Sequence, residues 1–371
     1  MAHRPTRQDI ADALGVSIIT VHRALNDTGY VSQQLRDRIR AQAERMGYRT
    51  HRAARGLVRT EPRRLAVFST EAPAFHWDAV ELGVRTAADQ IVDFGYEIVY
   101  ERIPAGDTPA YLERLHAARA DGMDAAAVVN NLEYEMERVF ALLDDWELPY
   151  ATLNIDAPTS HRRAFVGVDH TAEARLAANF FAASAGVCAR PGSTIALVAA
   201  PPRPATTIEG ADIASERLSG FRAVLEPFDA TVLPVVIGSE QTPDATVAID
   251  QLERIGRRLC GLYLTTIDPP KVSAVVDAAR VPVVAGSDSP QISQLLAAGR
   301  VAAIVYQNPT LQGYYAVRAL EHIVEQPAGR TPERVTLVHS LMLRENMGLP
   351  SNHQLFVGDP PWARSPSAGS G

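Results

Sequence analysis

The sequence predicts an α/β protein in which an all-helical N-terminal segment precedes a longer body of parallel sheets and helices. Apolar residues repeat at helical spacing over the first 50 residues, whereas short apolar runs alternate with amphipathic helical patterns from residue 64 onward. Residues 1–64 contain thirteen arginines and six acidic residues, so they carry +7 of a chain whose net charge is −7, and the rest carries −14. A basic segment on an acidic body is expected when that segment meets phosphate, although a solvated basic face has the same sign.

The first predicted elements are two helices joined by a tight turn. Thr6 and Asp9 have the spacing of a capping box at the start of the first helix. Gly15 is suited to the turn, and Ser17 is a good N-cap for the second helix. A third helix is predicted by the apolar spacing of Leu35, Ile39, Ala43 and Met46.

The second helix is expected to bury one face and expose the other. Val21 and Leu25 lie four residues apart and face a small core. The residues left facing outward are Ile18, Ile19, His22 and Arg23. Because a helix-turn-helix places the start of its second helix in the major groove, the pattern predicts DNA binding. The alternative is a three-helix bundle with no DNA role.

The body is expected to contain parallel sheets with helices on both faces. Strands are predicted at Leu65–Ser69, Tyr96–Tyr100, Ala125–Asn130, Tyr150–Asn154, Ala164–Gly167, Ile195–Ala199, Val232–Ile237, Gly261–Thr265, Val281–Ala285 and Val301–Val305. Helices are predicted at Asp78–Phe94, Tyr134–Asp145, Thr171–Ala185, Glu216–Leu225, Thr246–Arg258 and Leu311–Glu325. This number of strands is large for one parallel sheet, so two similar lobes are expected, with a ligand between the carboxyl ends of their strands.

Composition argues against several other classes of protein. The two cysteines, Cys188 and Cys260, lie far apart and form no CxxC pair, so neither a disulfide framework nor a metal site is expected. The sequence has no secretory signal pattern and no apolar run of the roughly 20 residues that cross a bilayer, which favours a cytoplasmic protein without a membrane partner. The tail over 351–371, rich in Pro, Gly and Ser, is expected to be disordered.

The sequence also gives no sign of an enzyme. It contains no GxxxxGK[ST] or GxGxxG loop, no GxSxG elbow and no HExxH pair, and no cofactor is implied. His170 beside Asp169 has no evident nucleophile. A transport solute-binding protein would share the body but not the basic helical segment.

The sequence resembles the LacI/GalR family of bacterial transcription regulators over residues 5–348. In the helical segment the matching residues are Gly15-Val16-Ser17, Thr20-Val21, Arg23, Leu25-Asn26, Val31-Ser32 and Gly47-Tyr48. In the body they are Ser215-Glu216-Arg217-Leu218-Ser219-Gly220-Phe221, Ala285-Gly286-Ser287-Asp288 and Gln307-Asn308-Pro309. The body looks most like that of regulators with a ribose-binding-protein type of core.

The resemblance implies four segments. They are a helix-turn-helix headpiece over 1–49, a hinge helix and linker over 50–63, a two-lobed, periplasmic-binding-protein-like core over 64–350, and the tail over 351–371. The first lobe would contain 64–167 with a return segment near 306–335. The second would contain 168–305 with a last strand near 336–348.

The resemblance also assigns residues to DNA. Ile18, Ile19 and Arg23 take the base-reading positions, and the two isoleucines depart from the polar or aromatic residues often found there. Arg can bind guanine through two hydrogen bonds, whereas Ile can only touch thymine methyls or apolar edges. The residues expected at phosphates are Thr6, Ser17, Thr20 and Asn26, with His22 suited to either role.

Residues 51–58 match the hinge helix of the family. A helix this short is unstable alone, and Gly56 weakens it further, so it is expected to fold only when two copies meet in the minor groove. Leu57 fits an apolar wedge that kinks the duplex, and Arg52 and Arg55 would meet the backbone or the groove. The alternative is a flexible basic linker. Because such operators are near-palindromic, a homodimer is expected.

For the effector, the resemblance and the strand pattern together select residues that follow strands, except Arg217, which stands at the start of a helix. They are Phe75, Trp77, Asn131 (or its neighbour Asn130), Asn154, Arg217, Thr265, Asp288 and Gln307. Donors, a carboxylate and amides suit the hydroxyls of a monosaccharide or polyol, and the two aromatic rings could stack on a sugar. Alternatives are lobe packing for Phe75 and Trp77, and a structural ion pair for Arg217 and Asp288.

These assignments predict an operator-binding repressor controlled by a sugar or polyol. Thr265 and Thr266 stand where the family usually has Asn-Asp, so part of the expected hydrogen-bonding set is changed. A second hypothesis is therefore a regulator whose cleft responds to another metabolite or to a protein.

Overall fold

The computed structural model describes residues 7–26, 31–46, 62–131, 134–184, 192–199, 213–236, 245–265, 269–325 and 333–347. The chain divides into two compact units, which are Met1–Glu61 with Asp93–Gly95, and Pro62–Val92 with Tyr96–Gly371. The predicted hinge helix and tail lie outside the described residues, apart from the last two residues of the linker, and remain predictions.

The described part of the first unit, residues 7–26 and 31–46, contains three short helices around a small apolar core. They are α1 (Arg7–Leu14), α2 (Ile18–Asn26) and α3 (Gln33–Arg45). The buried core side chains are Ile10, Ala11, Val21, Ala24, Ile39 and Ala43. Gly15 turns the chain between the first two helices with a φ of +64°, a conformation that favours glycine. The predicted helix-turn-helix arrangement is confirmed.

The second unit alternates strands and helices, as predicted. In chain order its elements are β1 (Arg63–Thr70), α4 (Ala74–Ile91), β2 (Tyr96–Ile103), α5 (Thr108–Ala120), β3 (Met123–Val129), α6 (Met136–Asp145), β4 (Tyr150–Asn154), β5 (Ala164–Val168), α7 (His170–Ala183), β6 (Thr194–Ala199), α8 (Ile213–Leu225), β7 (Thr231–Val236), α9 (Thr246–Ile255), β8 (Leu259–Leu264), α10 (Pro269–Ala279), β9 (Val283–Ala285), α11 (Pro290–Ala297), β10 (Ala303–Tyr306), α12 (Pro309–Glu325), β11 (Glu333–Leu337) and β12 (Ser340–Met342). Short 3-10 turns occupy Val92–Phe94, Glu226–Phe228 and Gly256–Arg258.

These strands form two six-stranded sheets, one in each lobe. The first has the order β11-β5-β4-β3-β1-β2 and is parallel throughout. The second has the order β12-β10-β9-β8-β6-β7, and its only antiparallel pair is β10 with β12. The chain therefore crosses between the lobes three times, after β5, after β10 and between β11 and β12.

Helices cover both faces of the second sheet. On one face α7 and α8 pack through Phe181 and Phe221, whose ring stacks on Tyr263 of β8 at a centroid distance of 5.3 Å. On the other face Leu252, Val275 and Ile292 of α9, α10 and α11 are buried. This arrangement is the doubly wound sheet that the sequence predicts.

Helices α4 and α12 cross at two glycines in the first lobe. A Cβ atom on Gly83 would overlap the carbonyl oxygen of Thr310, and a Cβ on Gly313 would overlap that of Val80. Glycine at both positions therefore allows the two backbones to approach more closely than any other residue would.

Several predicted elements need correction. Helices α5, α10 and α11 and strands β11 and β12 were not among the elements predicted from local patterns. Helix α5 buries only Thr108, Tyr111 and Leu115, so its apolar face is too narrow to stand out. Helix α4 begins at Ala74 rather than Asp78, because Pro73, with an extended backbone, takes the N-cap position. This start places Phe75 and Trp77 in the first turn of the helix.

Candidate functional site

The exposed face of α2 carries apolar side chains. Ile18 is 44% exposed and Ile19 is 59% exposed, and Arg23 also lies on the surface, as the sequence predicts. The hydroxyl of Ser17 accepts a hydrogen bond from the backbone N–H of Thr20 at 3.1 Å and lies 2.8 Å from the Thr20 hydroxyl. Ser17 is thus the N-cap of α2, and this hydrogen bond fixes the first turn that carries the two isoleucines.

Part of the predicted DNA-binding surface lies outside the residues that the structure describes. Thr6, Arg52, Arg55 and Leu57 are outside the described residues, and so are the side chains of His22 and Asn26. Their roles remain predictions.

A buried carboxylate lies at the carboxyl ends of strands in the second lobe. Glu173, in the first turn of α7, is 0% exposed. One of its oxygens accepts a hydrogen bond from the Tyr263 hydroxyl at 2.7 Å, and the other accepts from Arg217 at 2.9 and 3.2 Å. His170 Nδ1 lies 3.0 Å from the second oxygen, and the Gln307 amide donates to it at 3.4 Å. We call these five residues the Glu173 cluster.

The charge of Arg217 keeps Glu173 ionised. Burial raises the pKa of this carboxyl, but the guanidinium of Arg217 and hydrogen bonds from His170 and Tyr263 outweigh burial and lower the pKa to about 2. Burial and the adjacent carboxylate raise the pKa of Tyr263 well above its ordinary value, so Tyr263 remains a donor. The cluster is therefore an ion pair of Glu173 with Arg217, held in place by further hydrogen bonds.

The cluster brings together two predicted effector residues, Arg217 and Gln307. Arg217 is 13% exposed and forms an ion pair, as the structural alternative held, but its partner is Glu173 rather than Asp288. Gln307 also donates to the Gly286 carbonyl at 3.2 Å. Sequence reasoning missed Glu173 because an isolated acid on a helix normally faces solvent.

The other two predicted effector residues of the second lobe, Thr265 and Asp288, come shortly after strands β8 and β9. Thr265 follows β8 and is buried, and its hydroxyl donates to the Val198 carbonyl at 3.0 Å. Asp288 follows β9 and is half-buried. Burial and the charge of Asp288 raise the pKa of Tyr306, which shows that its carboxylate acts on the end of β10. Thr266 lies outside the described residues.

In the first lobe, the two predicted aromatic residues differ in exposure. Trp77 is 2% exposed and its indole N–H donates to the Ala72 carbonyl at 3.1 Å, so its ring belongs to the lobe core, as the packing alternative held. Phe75 is half-buried. His76, between them in the chain, contacts Trp77 edge to face, with 4.9 Å between the ring centroids. Burial lowers the pKa of His76 to about 4. A neutral imidazole therefore lies at the start of α4.

Polar atoms at the ends of β1 and β3 lack protein partners. The amide nitrogen of Asn130 donates to the Asp156 carbonyl at 3.0 Å, but its buried Oδ1 and the buried hydroxyl of Thr70 find no partner among the described residues. The β1–β3 register pairs Phe68 with Val128, and its continuation places Thr70 beside Asn130. Buried polar atoms are normally hydrogen-bonded, so a ligand or water is expected at this edge.

Asn131 and Asn154 lie at the same edge of the first sheet. Both are half-buried, and Asn154 ends β4 with a φ of +72°. A backbone held in this region by a residue other than glycine often marks a functional position. Sequence reasoning identified these two residues but missed Thr70, the last residue of β1, and His76, in the first turn of α4.

The described part of the chain has neither a membrane-spanning helix nor a metal-site cluster. No helix in it has both the length and the apolar composition needed to span a bilayer. No group of three or more His, Cys, Asp or Glu side chains there has the arrangement of a metal site.

Two protein families match consecutive segments of the chain. Residues 66–328 match the periplasmic binding protein domain, and residues 6–51 match bacterial regulatory proteins of the lacI family. The ribose operon repressor of Bacillus subtilis (strain 168) is 32% identical over 95 residues, which are 26% of this chain and 28% of the repressor. The aligned part thus spans less than a third of that relative.

Solved structures share the fold of the body. A glucose-galactose binding protein from Geobacillus stearothermophilus superposes with a TM-score of 0.61 at 20% identity, over 78% of this chain and 100% of that one. A putative LacI transcriptional regulator from Bacteroides fragilis has a TM-score of 0.62 at 15% identity, over 77% of this chain and 98% of that one. The chain belongs to the periplasmic binding protein domain family and joins that domain to an N-terminal domain of the lacI family of bacterial regulatory proteins.

Proposed function

We propose that this chain is a transcriptional repressor that binds a near-palindromic operator as a homodimer and is controlled by a monosaccharide or polyol. The observation that carries the proposal is the combination of a lacI-family headpiece with a two-lobed core whose strand ends bear unsatisfied polar atoms. Its place of action would be the cytoplasm, and the family matches support a regulator rather than an enzyme.

The proposed contact with DNA is the first turn of α2. Arg23 would hydrogen-bond to guanine, which contributes about 1–3 kcal/mol of discrimination per good bidentate pair. Exposed Ile18 and Ile19 would contact thymine methyl groups. The basic charge of residues 1–64 supports a sequence-independent attraction to phosphate that weakens with salt.

The proposed effector site lies at the strand ends of the two lobes. Sugar hydroxyls both donate and accept hydrogen bonds. Asn130, Thr70 and Asp288 offer acceptors, and Asn131 and Asn154 add amides. The chain is similar to a ribose operon repressor and to a glucose-galactose binding protein, and this similarity supports a sugar.

The proposed control operates through the three crossovers. A ligand that binds one lobe arrangement better than another shifts the population toward it, and a few kcal/mol of differential affinity suffices. If that arrangement separates the two headpieces of the dimer, the predicted hinge helices around Leu57 unfold and the operator is released.

Fluorescence anisotropy tests the proposal with DNA from upstream of the protein's own gene. Binding is measured at two salt concentrations, with and without a panel of sugars and polyols. Tight binding relieved by one compound supports an inducible repressor, whereas binding strengthened by one compound replaces induction with corepression. Specific binding that ignores every compound removes the effector part of the proposal.

A second candidate function has its own observation. Arg217 and Thr265 already satisfy their hydrogen bonds within the protein, which reduces the donors left for a sugar. A cleft that responds to another metabolite or to a protein partner would fit this. A thermal-shift panel separates the candidates, because a ligand at about 100 times its Kd adds about 2.7 kcal/mol of stability.

A further inference from the structure

The donors of the Glu173 cluster converge on a carboxylate that the chain itself supplies. Arg217, Tyr263 and Gln307 come from α8, β8 and the segment after β10, and all three donate to Glu173. In this fold the carboxyl ends of the strands face the ligand, so these donors stand where ligand oxygens are bound. Glu173 fills that position from inside the lobe.

The backbone leaves room for this carboxylate. A Cβ atom on Gly286 would lie 2.6 Å from a Glu173 oxygen and 3.2 Å from the Tyr263 hydroxyl. Gly286 follows β9 directly, so the open backbone position lies at the strand end beside the carboxylate. The absence of a Cβ atom at Gly286 therefore leaves the space that the Glu173 carboxylate group fills.

Charged groups of both signs lie near these strand ends. Among the described residues the acids are Asp169, Glu173, Glu216 and Asp288, while Arg217 lies against Glu173 and Arg334 also acts on the charge of Glu216. Because Glu173 is completely buried against Arg217, the guanidinium is already neutralised before any ligand arrives. An anionic ligand could therefore pair with this guanidinium only by displacing the Glu173 carboxylate.

We propose that Glu173 is a specificity-determining residue. Its carboxylate takes up the donors of Arg217, Tyr263 and Gln307, which could otherwise bind an anion, and so restricts the effector to uncharged compounds. Sugar acids and sugar phosphates would be rejected, and neutral sugars or polyols accepted. This inference rests on the effector site of the proposed function, and it names the charge class of the ligand.

The first experiment asks whether the pocket is a carboxylate receptor and needs no effector. Thermal midpoints of the full chain and of Glu173→Ala are compared in sodium acetate and in sodium chloride of equal ionic strength at pH 7. We expect acetate to raise the midpoint of Glu173→Ala, or to allow it to fold, without changing that of the unaltered chain. Absence of this rescue, including failure to fold in both salts, overturns the proposal.

A matched control separates the pocket from a general salt effect. Glu81 is also paired with arginines, Arg85 and Arg102, but on α4, away from the strand ends of the second lobe. Acetate should not rescue Glu81→Ala, nor the double variant Glu173→Ala with Arg217→Gln. Equal rescue of all three variants would also overturn the proposal.

The second experiment measures selectivity. Calorimetric titration compares glucose with glucuronate, and ribose with ribose 5-phosphate, on the unaltered chain and on the isosteric variant Glu173→Gln. We expect the unaltered chain to bind a neutral member only. In the variant the preference should shift toward the charged member by roughly tenfold or more, the factor expected from one hydrogen bond to a charged group.

The outcomes separate this inference from the function on which it rests. Neutral binding with an unchanged preference in Glu173→Gln overturns the role of Glu173 and leaves the effector site intact. Tight binding of a charged member by the unaltered chain has the same consequence. If no compound binds either protein, the proposed sugar effector fails, and the acetate experiment alone decides whether Glu173 fills an anion receptor.

Discussion

Two groups set the response of the core to acid, the half-buried His76, whose Nε2 is buried, and the fully buried Glu173. Burial lowers the pKa of His76 from 6.5 to about 4, and the pKa of Glu173 falls from 4.5 to about 2. In both cases the unfolded chain binds the proton more readily than the folded chain. Stability therefore rises with pH between about 4 and 6.5 through His76, and between about 2 and 4.5 through Glu173.

We expect His76→Asn to reduce the rise of stability with pH between about 4 and 6.5. The free energy of unfolding of the unaltered chain should lose up to about 1.4 kcal/mol per pH unit from this one group as the pH falls from 6.5 toward 4. Urea unfolding followed by tryptophan fluorescence at several pH values measures this slope. Thr86→Ala, which removes no titratable group from the same helix, is the control and should leave this slope unchanged. An identical slope in His76→Asn would contradict the assignment.

Arg23 is expected to read a base, and this predicts a loss of discrimination. Arg23→Ala should reduce the difference between operator and random DNA by about 1–3 kcal/mol. Arg45→Ala removes the same charge from an exposed position on α3, where Arg45 bonds to Gln42. It should weaken binding to both DNAs similarly. Anisotropy titrations with operator and random duplexes of equal length give the discrimination of each variant. If Arg23→Ala and Arg45→Ala change that discrimination equally, Arg23 does not read a base.

At the scale of elements, the crossing of α4 and α12 depends on two glycines. Alanine is intrinsically better than glycine in a helix by about 1 kcal/mol. The overlap of a new methyl group at Gly313 with the Val80 carbonyl oxygen should reverse that sign and destabilise the chain by about 1–3 kcal/mol. Thr86→Ala, on the exposed face of α4, should change stability by less than about 0.5 kcal/mol. Urea unfolding decides, and a stabilised Gly313→Ala would show that the helices separate at little cost.

The elements also show what the sequence could and could not predict. The central strands were predictable because β1, β3 and β6 are runs of buried apolar residues. Strands β11 and β12 are short edge strands, and their pairing with β5 and β10 is set by residues distant in the chain. The resemblance to the LacI/GalR family selected Arg217 and Gln307, which the structure brings together, whereas the role of Glu173 had no local signal and required the packed lobe.

At the scale of the whole molecule, DNA binding and ligand binding are expected to communicate through the predicted hinge. Leu57→Ala removes the proposed wedge and should weaken binding to the operator far more than binding to random DNA. Anisotropy with both DNAs measures the difference. Val58→Ala, one position along in the same segment, is a control that keeps Leu57. Equal losses on the two DNAs would favour the flexible-linker alternative.

The three crossovers have a consequence for the order in which the protein is made. Each sheet takes one of its strands from the end of the body, β11 for the first and β12 for the second. The helical core of α1, α2 and α3 is instead complete by residue 46. At about 5–20 residues per second, translation of the intervening chain takes roughly 15–60 s. A nascent chain therefore exposes its basic headpiece sequence for this interval before either lobe that would regulate it can close its sheet.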